Sequence, residues 1–250
     1  MTRLGSSNPA KVRAVASRAV PSAPTADSAG RPPALAARSL HRFFRVDDAE
    51  TLALQGVSLA VTPGEMVAVV GPSGSGKSTL LACLAGLDEP DGGTVTIAGQ
   101  TLSHRPERVR TRLRGRDIGL LFQSANLIEH LTVAGNVALV QQLLDRAIRP
   151  DRVSLLASVG LADRARAYPS ELSGGEAARA GLAVALANQP AVLLADEPTG
   201  ELDTTTEAEI LTLLRAAAER GAAVLVASHS PAVAAAADRV IHLADGTLNP

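Results

Sequence analysis

Aromatic residues and cysteine are scarce in this sequence of 250 residues, which contains no tryptophan, one tyrosine and three phenylalanines. That number is too small for the stacking platforms with which proteins bind single-stranded nucleic acids. A formal net charge of −1 likewise gives no overall attraction to nucleic acid or anionic lipid. The single cysteine, Cys83, rules out an internal disulfide and a multi-cysteine zinc site. We therefore expect no nucleic-acid partner and no cysteine-based metal centre.

Long apolar runs are also missing. A membrane-spanning helix needs roughly 18 to 20 consecutive apolar residues, and the most apolar stretches here are shorter, as where Val192–Ala195 is followed by Asp196. We do not expect the chain itself to cross a membrane. Hydrophobic residues nevertheless make up 46% of the sequence, which predicts one globular domain, with or without a lobe.

Two parts of the chain differ in composition. Residues 1–33 are rich in Ala, Ser, Pro and Arg, contain one acidic residue, Asp27, and lack helical or strand periodicity. This composition predicts a disordered tail. An acid-poor start rich in Arg and Ser is also typical of a transit peptide, although neither an apolar segment nor a clear cleavage signal accompanies it. Residues 34–250 should form the folded domain.

Short apolar runs rich in β-branched residues recur along residues 34–250 and predict strands. Stretches of helical length, such as Lys77–Ala85 and Thr205–Arg220, lie between several of them, and this alternation predicts an α/β fold with parallel βαβ units. Residues 127–187 show helical patterns and no convincing strand, so we expect a helical lobe inserted into the core. The predicted strands are Val57–Val61, Met66–Val70, Val95–Ala98, Ile118–Leu121, Val192–Ala195, Val224–Ala227 and Val240–Leu243.

Six arginines lie between Arg105 and Arg116. Such a run can bind phosphates or lipid headgroups, but Glu107 and Asp117 dilute the charge and no aromatic residue lies among the arginines. A solvated helix face is therefore the preferred interpretation.

The segment Gly71–Thr79 matches the phosphate-binding pattern G-x-x-x-x-G-K-[ST] between a predicted strand and a predicted helix. Its glycines let backbone N–H groups turn toward a triphosphate, and the helix N-terminus adds partial positive charge. Lys77, one of only two lysines in the chain, should reach the β- and γ-phosphates, Ser78 a Mg²⁺ ion, and Thr79 the side of the α-phosphate. The predicted nucleotide contacts are Gly71, Pro72, Ser73, Gly74, Ser75, Gly76, Lys77, Ser78 and Thr79.

Two further segments narrow the class of nucleotide-binding protein to which this chain can belong. Ser173–Glu176 follows the helix breaker Pro169 and begins a long helix rich in Ala and Leu, so that Ser173 is a suitable N-cap and the glycines expose backbone donors. This segment alone also fits an ordinary capped helix. Asp196 and Glu197 end a predicted buried strand, where they should face the ligand crevice of a parallel sheet. Asp196 can hold Mg²⁺ through water, and Glu197 can accept a proton from the water that attacks the γ-phosphate.

In this order, the motifs resemble those of the nucleotide-binding subunits of ATP-binding cassette (ABC) transporters, from Leu40 to about Gly246. The resemblance implies an ATPase that binds ATP and Mg²⁺ and works as a head-to-tail homodimer or heterodimer. It implies a separate integral membrane permease as partner, and it implies that this chain is a peripheral subunit at the cytoplasmic face of the plasma (inner) membrane. It also implies a P-loop NTPase core with a parallel-sheet centre, an N-terminal antiparallel β portion and an inserted helical lobe.

The resemblance implies roles for residues that the spacing alone leaves open. Ser173, Gly174, Gly175 and Glu176 resemble the family signature, which contacts the γ-phosphate of ATP held by the opposite subunit. Gln123 resembles the Q-loop glutamine, which senses Mg²⁺ and the attacking water. Two half-sites are thus expected to meet at a dimer interface.

Three other roles follow from the same resemblance. Gly200–Asp203 resembles the D-loop that crosses the dimer interface, so Asp203 is expected to belong to the nucleotide site. His229 matches the switch histidine, which contacts the γ-phosphate. Phe44 is the candidate for stacking on adenine. Phe43 and Phe44 should point to opposite faces of a strand, so that one of them packs inward.

Three stretches are similar to the branch that includes lipoprotein-release, macrolide-efflux and cell-division ATPases: Thr51–Leu59, Arg116–Gln123 and Tyr168–Glu176. In that branch the permease typically extrudes cargo or transmits force. The chain departs from the usual pattern at positions that are neither phosphate nor metal ligands, so ATPase chemistry is expected to survive. These positions are Gly135, Ala177, Ala178, Val184 and Glu201.

Two alternatives stay open beside a transporter ATPase. One is a regulatory or structural subunit that binds ATP in a permease complex and hydrolyses it weakly. The other is an ABC ATPase that acts outside transport, on ribosomes or DNA, although the chain lacks the second cassette, coiled coils or zinc modules of such relatives.

Overall fold

The computed structural model describes residues 32–46, 49–122, 127–143 and 150–249. The strands in these ranges form one sheet of four strands and one of six. The strands are β1 (Leu35–Val46), β2 (Ala49–Val61), β3 (Met66–Val70), β4 (Gly92–Ile97), β5 (Gln100–Thr101), β6 (Ile118–Leu121), β7 (Val192–Asp196), β8 (Ala223–Ala227), β9 (Arg239–Ala244) and β10 (Thr247–Asn249).

The α-helices are α1 (Lys77–Leu84), α2 (Glu107–Asp117), α3 (Val133–Gln142), α4 (Arg152–Ser158), α5 (Gly174–Leu186), α6 (Thr204–Glu219) and α7 (Pro231–Ala236). Two short 3₁₀ helices, Ala162–Arg164 and Pro169–Glu171, lie between the fourth and fifth α-helix. The helices alternate with the strands from α5 to β9, whereas α1 is the one α-helix described among the first five strands.

The four-stranded sheet is antiparallel, in the order β2-β1-β4-β5. It confirms the antiparallel β portion implied by the family resemblance. The extent of β1 has no counterpart among the predicted apolar runs, because Arg38, His41 and Arg42 interrupt its apolar residues. Irregular pairing between β1 and β2, including a shift between Arg42 and Phe43, also breaks the alternation on which a strand prediction depends.

The six-stranded sheet has the order β10-β9-β3-β8-β7-β6, with parallel pairing throughout except for the terminal hairpin of β9 and β10. The predicted parallel α/β core is therefore confirmed. Met66–Val70 and Ile118–Leu121 were predicted with their observed bounds, and the other five predicted strands lie within or overlap observed ones. The carboxyl ends of β3, β7 and β8 lie at one edge of this sheet, where a ligand crevice is expected.

The six-stranded sheet is covered on both faces. Val67 and Val69 of β3 belong to a cluster with α1 and the four-stranded sheet. Met66 and Ala68 of the same strand belong to a second cluster with helices α3 to α7. Alternate residues of a strand point to opposite faces, so this division explains why β3, β7 and β8 are apolar at nearly every position.

Residues 127–143 and 150–187, the described part of the predicted helical lobe, contain helices α3 to α5 and no strand. Across the described ranges, no helix combines the length and apolar character that a membrane span requires.

The arginines between Arg105 and Arg116 differ in exposure and pairing. Arg105, Arg108 and Arg112 are exposed, as a solvated helix face predicts. Arg110 and Arg114 pair with Glu107, and Arg116 pairs with Asp117.

Candidate nucleotide site

The loop between β3 and α1 is fixed by backbone from both sheets. Gly76 has φ 101°, in the left-handed region that favours glycine, and a Cβ there would lie 2.5 Å from the carbonyl oxygen of Ala53. A Cβ on Gly71 would lie 2.1 Å from the carbonyl oxygen of Leu243. Both glycines are therefore required by packing, apart from any need for a phosphate to approach the backbone.

A turn at Asp245–Gly246 holds this loop against β2. The Gly246 N–H donates to the carbonyl oxygen of Ser75 at 3.1 Å, and the Gln55 N–H donates to the carbonyl oxygen of Gly246 at 2.8 Å. The position of this turn at the site is not predictable from the sequence. The Asp-Gly dipeptide after an apolar run signals a hairpin turn, but it does not indicate which loop the turn contacts.

Lys77 is the first residue of α1, and only 8% of it is exposed. Its Nζ donates to the carbonyl oxygens of Gly71 and Pro72 at 2.8 and 3.1 Å. These bonds hold the ammonium across the mouth of its own loop. A bound phosphate would offer the ammonium charged acceptors in place of neutral ones, which strengthens its hydrogen bonds.

Asp196, the last residue of β7, is positioned for a cation. Its Oδ1 is buried and has no hydrogen-bond partner among the described residues. Burial raises the pKa of this carboxyl, while a hydrogen bond from Ser78 opposes the rise. A buried carboxylate oxygen without a donor, next to a hydroxyl, suits a hard divalent cation that takes oxygen ligands. Ser78 and Asp196 therefore fit the Mg²⁺ ion that the sequence predicted.

Glu197 follows β7 in a strained conformation, with φ 46°, which a residue other than glycine adopts at a cost. Its N–H donates to the carbonyl oxygen of Ala227 at 2.9 Å. The Ser228 hydroxyl donates to Glu197 Oε2 at 3.0 Å, and a 3.0 Å hydrogen bond joins His229 Nδ1 to Oε1. The carboxylate is thus oriented from both sides. Ser228, fully buried, was not predicted, because nothing in its sequence context separates it from an ordinary strand-end serine.

A cleft of about 830 Å³ brings nine of the predicted residues together. Asp196, Gly71, Pro72 and Ser75 are not among its lining residues. The lining residues are Phe44, Thr51, Leu52, Ala53, Gln55, Ser73, Gly74, Gly76, Lys77, Ser78, Thr79, Glu197, Gly200, His229, Asp245 and Gly246.

Phe44 lines this cleft, whereas Phe43 does not. The prediction that one of the two packs inward is wrong, since Phe43 is 39% exposed and Phe44 38%. The irregular pairing between Arg42 and Phe43 leaves neither ring over the core. The Arg42 guanidinium, paired with Asp88 and Asp91, lies 4.8 Å from the centroid of the Phe44 ring and covers one of its faces.

Ser173 is the N-cap of α5, as predicted, and the cap is reciprocal. Glu176 N–H donates to Ser173 Oγ at 3.3 Å, and Ser173 N–H donates to Glu176 Oε2 at 2.8 Å. Gly175 packs closely on α6, since a Cβ there would lie 2.5 Å from Thr206 Cγ2. Asp203 caps α6 by accepting from the N–H groups of Thr205 and Thr206.

The residues of the signature do not line the cleft that contains Lys77. Ser173, Gly174, Gly175 and Asp203 line a second pocket of about 480 Å³. A smaller pocket of about 230 Å³ lies between the two and is lined by Glu197 and Gly174 among others. The described site residues therefore form two groups, one around Lys77 and one around Ser173. Gln123 lies outside the described residues.

Comparison with known proteins gives a family and several relatives. The family model described as ABC transporter matches residues 54–200. The chain is 42% identical over 224 residues to an uncharacterized ABC transporter ATP-binding protein of Mycobacterium tuberculosis, covering 88% of this chain and 90% of that protein. It is 42% identical over 216 residues to the lipoprotein-releasing system ATP-binding protein LolD of Maricaulis maris, covering 85% and 94%. It is 44% identical over 221 residues to the methionine import ATP-binding protein MetN of Nocardia farcinica, covering 86% and 66%.

A solved structure shares the fold. The dimeric post-hydrolysis state of the ATP-binding cassette MJ0796, bound to ADP and Pi, superposes with a TM-score of 0.80 at 34% identity. The match covers 86% of this chain and 97% of that one. The predicted fold class and the suspected branch are both confirmed.

Proposed function

This chain belongs to the ABC transporter family, and we propose that it hydrolyses Mg-ATP as one of two cassette subunits that drive a separate membrane permease. The division of the site residues into two groups carries the proposal. One group contains the residues proposed to hold a triphosphate and to activate water, and the other presents a helix N-terminus to a second pocket. The two groups complete each other when two chains associate head to tail.

The group around Lys77 binds and orients the nucleotide. Lys77 and the N–H groups of the loop neutralise the β- and γ-phosphates. Ser78 and Asp196 would hold Mg²⁺, which neutralises charge on the phosphate oxygens during transfer. Phe44 offers adenine the ring face that Arg42 does not cover.

Glu197 is the general base. Its carboxylate accepts a proton from the attacking water while Ser228 and His229 keep it oriented. His229 is 71% exposed at its side chain and Glu197 17%, so the histidine is free to contact a γ-phosphate at the mouth of the cleft. Orientation of water and neutralisation of charge are the main contributions a protein makes to phosphoryl transfer.

The group around Ser173 completes the site of a second subunit. The N-terminus of α5 directs backbone N–H groups and the positive end of the helix dipole outward. The dimeric MJ0796 cassette with bound ADP and Pi supports the same assembly here. Asp203 and Gly200 lie beside this helix and would cross the interface, and Gln123 would face Mg²⁺ and the water.

The partner is an integral membrane permease, and the chain binds to it peripherally at the cytoplasmic face of the inner membrane. LolD is named for lipoprotein release and MetN for methionine import, so similarity to both supports a permease partner while leaving the direction of transport to the membrane subunit. We propose residues 34–250 as the cassette domain and residues 1–33 as a tail preceding it.

The proposal is tested on purified protein with Glu197→Gln and, as control, Glu219→Gln, which alters an exposed carboxylate at the end of α6. Glu197→Gln should abolish phosphate release and convert the chain with Mg-ATP into a dimer, detected by light scattering. Glu219→Gln should behave as wild type. Normal turnover in Glu197→Gln would contradict the assignment of the base. Dimerisation with ATP but negligible wild-type turnover, with and without permease, would favour the weakly hydrolysing regulatory subunit.

A further inference from the structure

Glu207, in the first turn of α6, joins the two loops that carry the proposed catalytic residues. Its Oε1 accepts from Thr199 Oγ1 at 2.9 Å and from Ser230 Oγ at 2.7 Å. Thr199 lies two residues after Glu197, and Ser230 directly follows His229. A single carboxylate oxygen therefore connects the loop after β7 with the loop after β8.

The connection continues to the general base. Ser230 N–H donates to Ser228 Oγ at 3.1 Å, and Ser228 Oγ donates to Glu197 Oε2 at 3.0 Å. Ser230 Oγ also accepts from the Ala232 N–H at 3.2 Å, which caps α7. The one hydroxyl proton of Ser230 is thus committed to Glu207, and its lone pairs remain available for the cap.

Thr199 is 4% exposed, so its hydroxyl has little access to water as a substitute partner. Glu197, two residues earlier, has the strained φ of 46°, and such conformations persist only where the surroundings impose them. Anchoring Thr199 on α6 helps to impose this one. Glu207 does not line the cleft around Lys77, so it acts through other residues rather than on the nucleotide.

We propose that Glu207 is a positioning residue that sets the geometry of Glu197 against His229 and links both to Gly200–Asp203, the segment between Thr199 and α6. The inference rests on the function proposed above. Because Glu207 and Asp203 lie in the same helix start, the position of α6 is coupled to both catalytic loops through one hydrogen-bonded group.

The test compares Glu207→Ala with Glu207→Gln in steady-state ATP hydrolysis. Loss of both acceptor bonds in Glu207→Ala should lower kcat about tenfold or more, with KM for ATP changed less than about twofold, because the residues that bind ATP are untouched. A glutamine oxygen can accept both hydroxyls at the same place, so Glu207→Gln should retain most of the wild-type kcat. Unchanged kcat in Glu207→Ala, a parallel rise in KM, or equal loss in both variants would overturn the proposal.

A second, conservative variant and an NMR measurement separate the role of Glu207 from effects on folding and from the need for turnover. Thr199→Val removes one donor and keeps the side-chain volume. The double variant Thr199→Val/Glu207→Ala completes the comparison. If Glu207 acts through Thr199, the loss of kcat in the double variant, expressed as a free energy, should differ clearly from the sum of the two single losses. A double-variant loss equal to that sum would contradict the proposal. The His229 ring signals in NMR report its hydrogen bond to Glu197 without hydrolysis. They should change in Glu207→Ala and not in Glu207→Gln, whereas absent wild-type turnover would count against the proposed function alone.

Discussion

The two groups of site residues differ in how they are held. The group around Lys77 is enclosed by backbone from β2, β3, β8 and β9, and Lys77 itself is 8% exposed. The group around Ser173 consists of two capped helix starts, and Ser173 and Gly174 are exposed. The first group therefore has its geometry fixed within one chain. The second is stable through local capping and presents its donors outward, which suits a surface whose ligand arrives with another subunit.

The largest expected effect comes from a substitution in the enclosed group around Lys77. Lys77→Met should weaken ATP binding about a hundredfold, because a hydrogen bond to a charged group contributes up to roughly 3 kcal/mol. Isothermal titration calorimetry measures the change. Lys11→Met, at the only other lysine of the chain, is the control and should bind ATP normally. Near-normal binding in Lys77→Met would contradict the role of this side chain.

Phe43 and Phe44 are almost equally exposed, and stacking on adenine should distinguish their roles. Phe44→Ala should weaken ATP binding about tenfold, since stacking of a base on an aromatic side chain contributes roughly 1–3 kcal/mol. Phe43→Ala should leave affinity within about twofold, because this ring does not line the cleft. Equal effects of the two substitutions, measured by titration with ATP, would place the adenine elsewhere.

Close packing at the second group can be tested through stability. Gly175→Ala should lower the free energy of unfolding by about 1–3 kcal/mol, because the added methyl overlaps Thr206 Cγ2. Thr206→Ser removes that methyl and keeps the hydroxyl that donates to Asp203. The double variant should thus recover most of the loss in urea denaturation, while ATP binding by the single subunit stays normal throughout. No recovery would mean that the strain lies in the backbone.

The smallest expected effect concerns two aspartates, Asp196 and Asp203, whose pKa values shift in opposite directions. Burial raises the pKa of Asp196, so its ionised form costs stability above the raised pKa, and this cost disappears as pH falls below 3.8. Hydrogen bonds from Thr206 lower the pKa of Asp203, so its contribution is present above 3.8 and is lost as pH falls. Without nucleotide or divalent ions, Asp196→Asn should raise Tm at pH 7 and Asp203→Asn should lower it.

The difference for Asp196→Asn should shrink as the pH is lowered toward 4, because the raised pKa of this carboxyl is crossed above 3.8. The difference for Asp203→Asn should persist to pH 3.8 and shrink only below it. Differential scanning fluorimetry across this range follows both. A destabilising Asp196→Asn at pH 7 would show that hydrogen bonding to the carboxylate outweighs the cost of its burial.

Much of this molecule could be predicted from the sequence, because the relevant interactions are local. The spacing of glycines and Lys77 between a strand and a helix defines a phosphate loop. The buried run before Asp196 and Glu197 defines a strand whose end faces a crevice. Ser173 and Glu176 define a capped helix from side chains three residues apart.

Other features could not be predicted, because their partners are remote in sequence. Gly246 holds Ser75, and Glu207 joins Thr199 to Ser230, only because parallel strands bring their carboxyl ends to one edge of the sheet. The exposure of both Phe43 and Phe44 depends on irregular strand pairing that alternation does not anticipate. Residue type and local spacing set what each side chain can bind, so the motifs of this sequence, with the family they resemble, were enough to indicate an ATPase with two half-sites. The sequence did not indicate which loops meet within each half-site, because non-local packing brings Gly246 onto Ser75 and places Glu207 between Thr199 and Ser230.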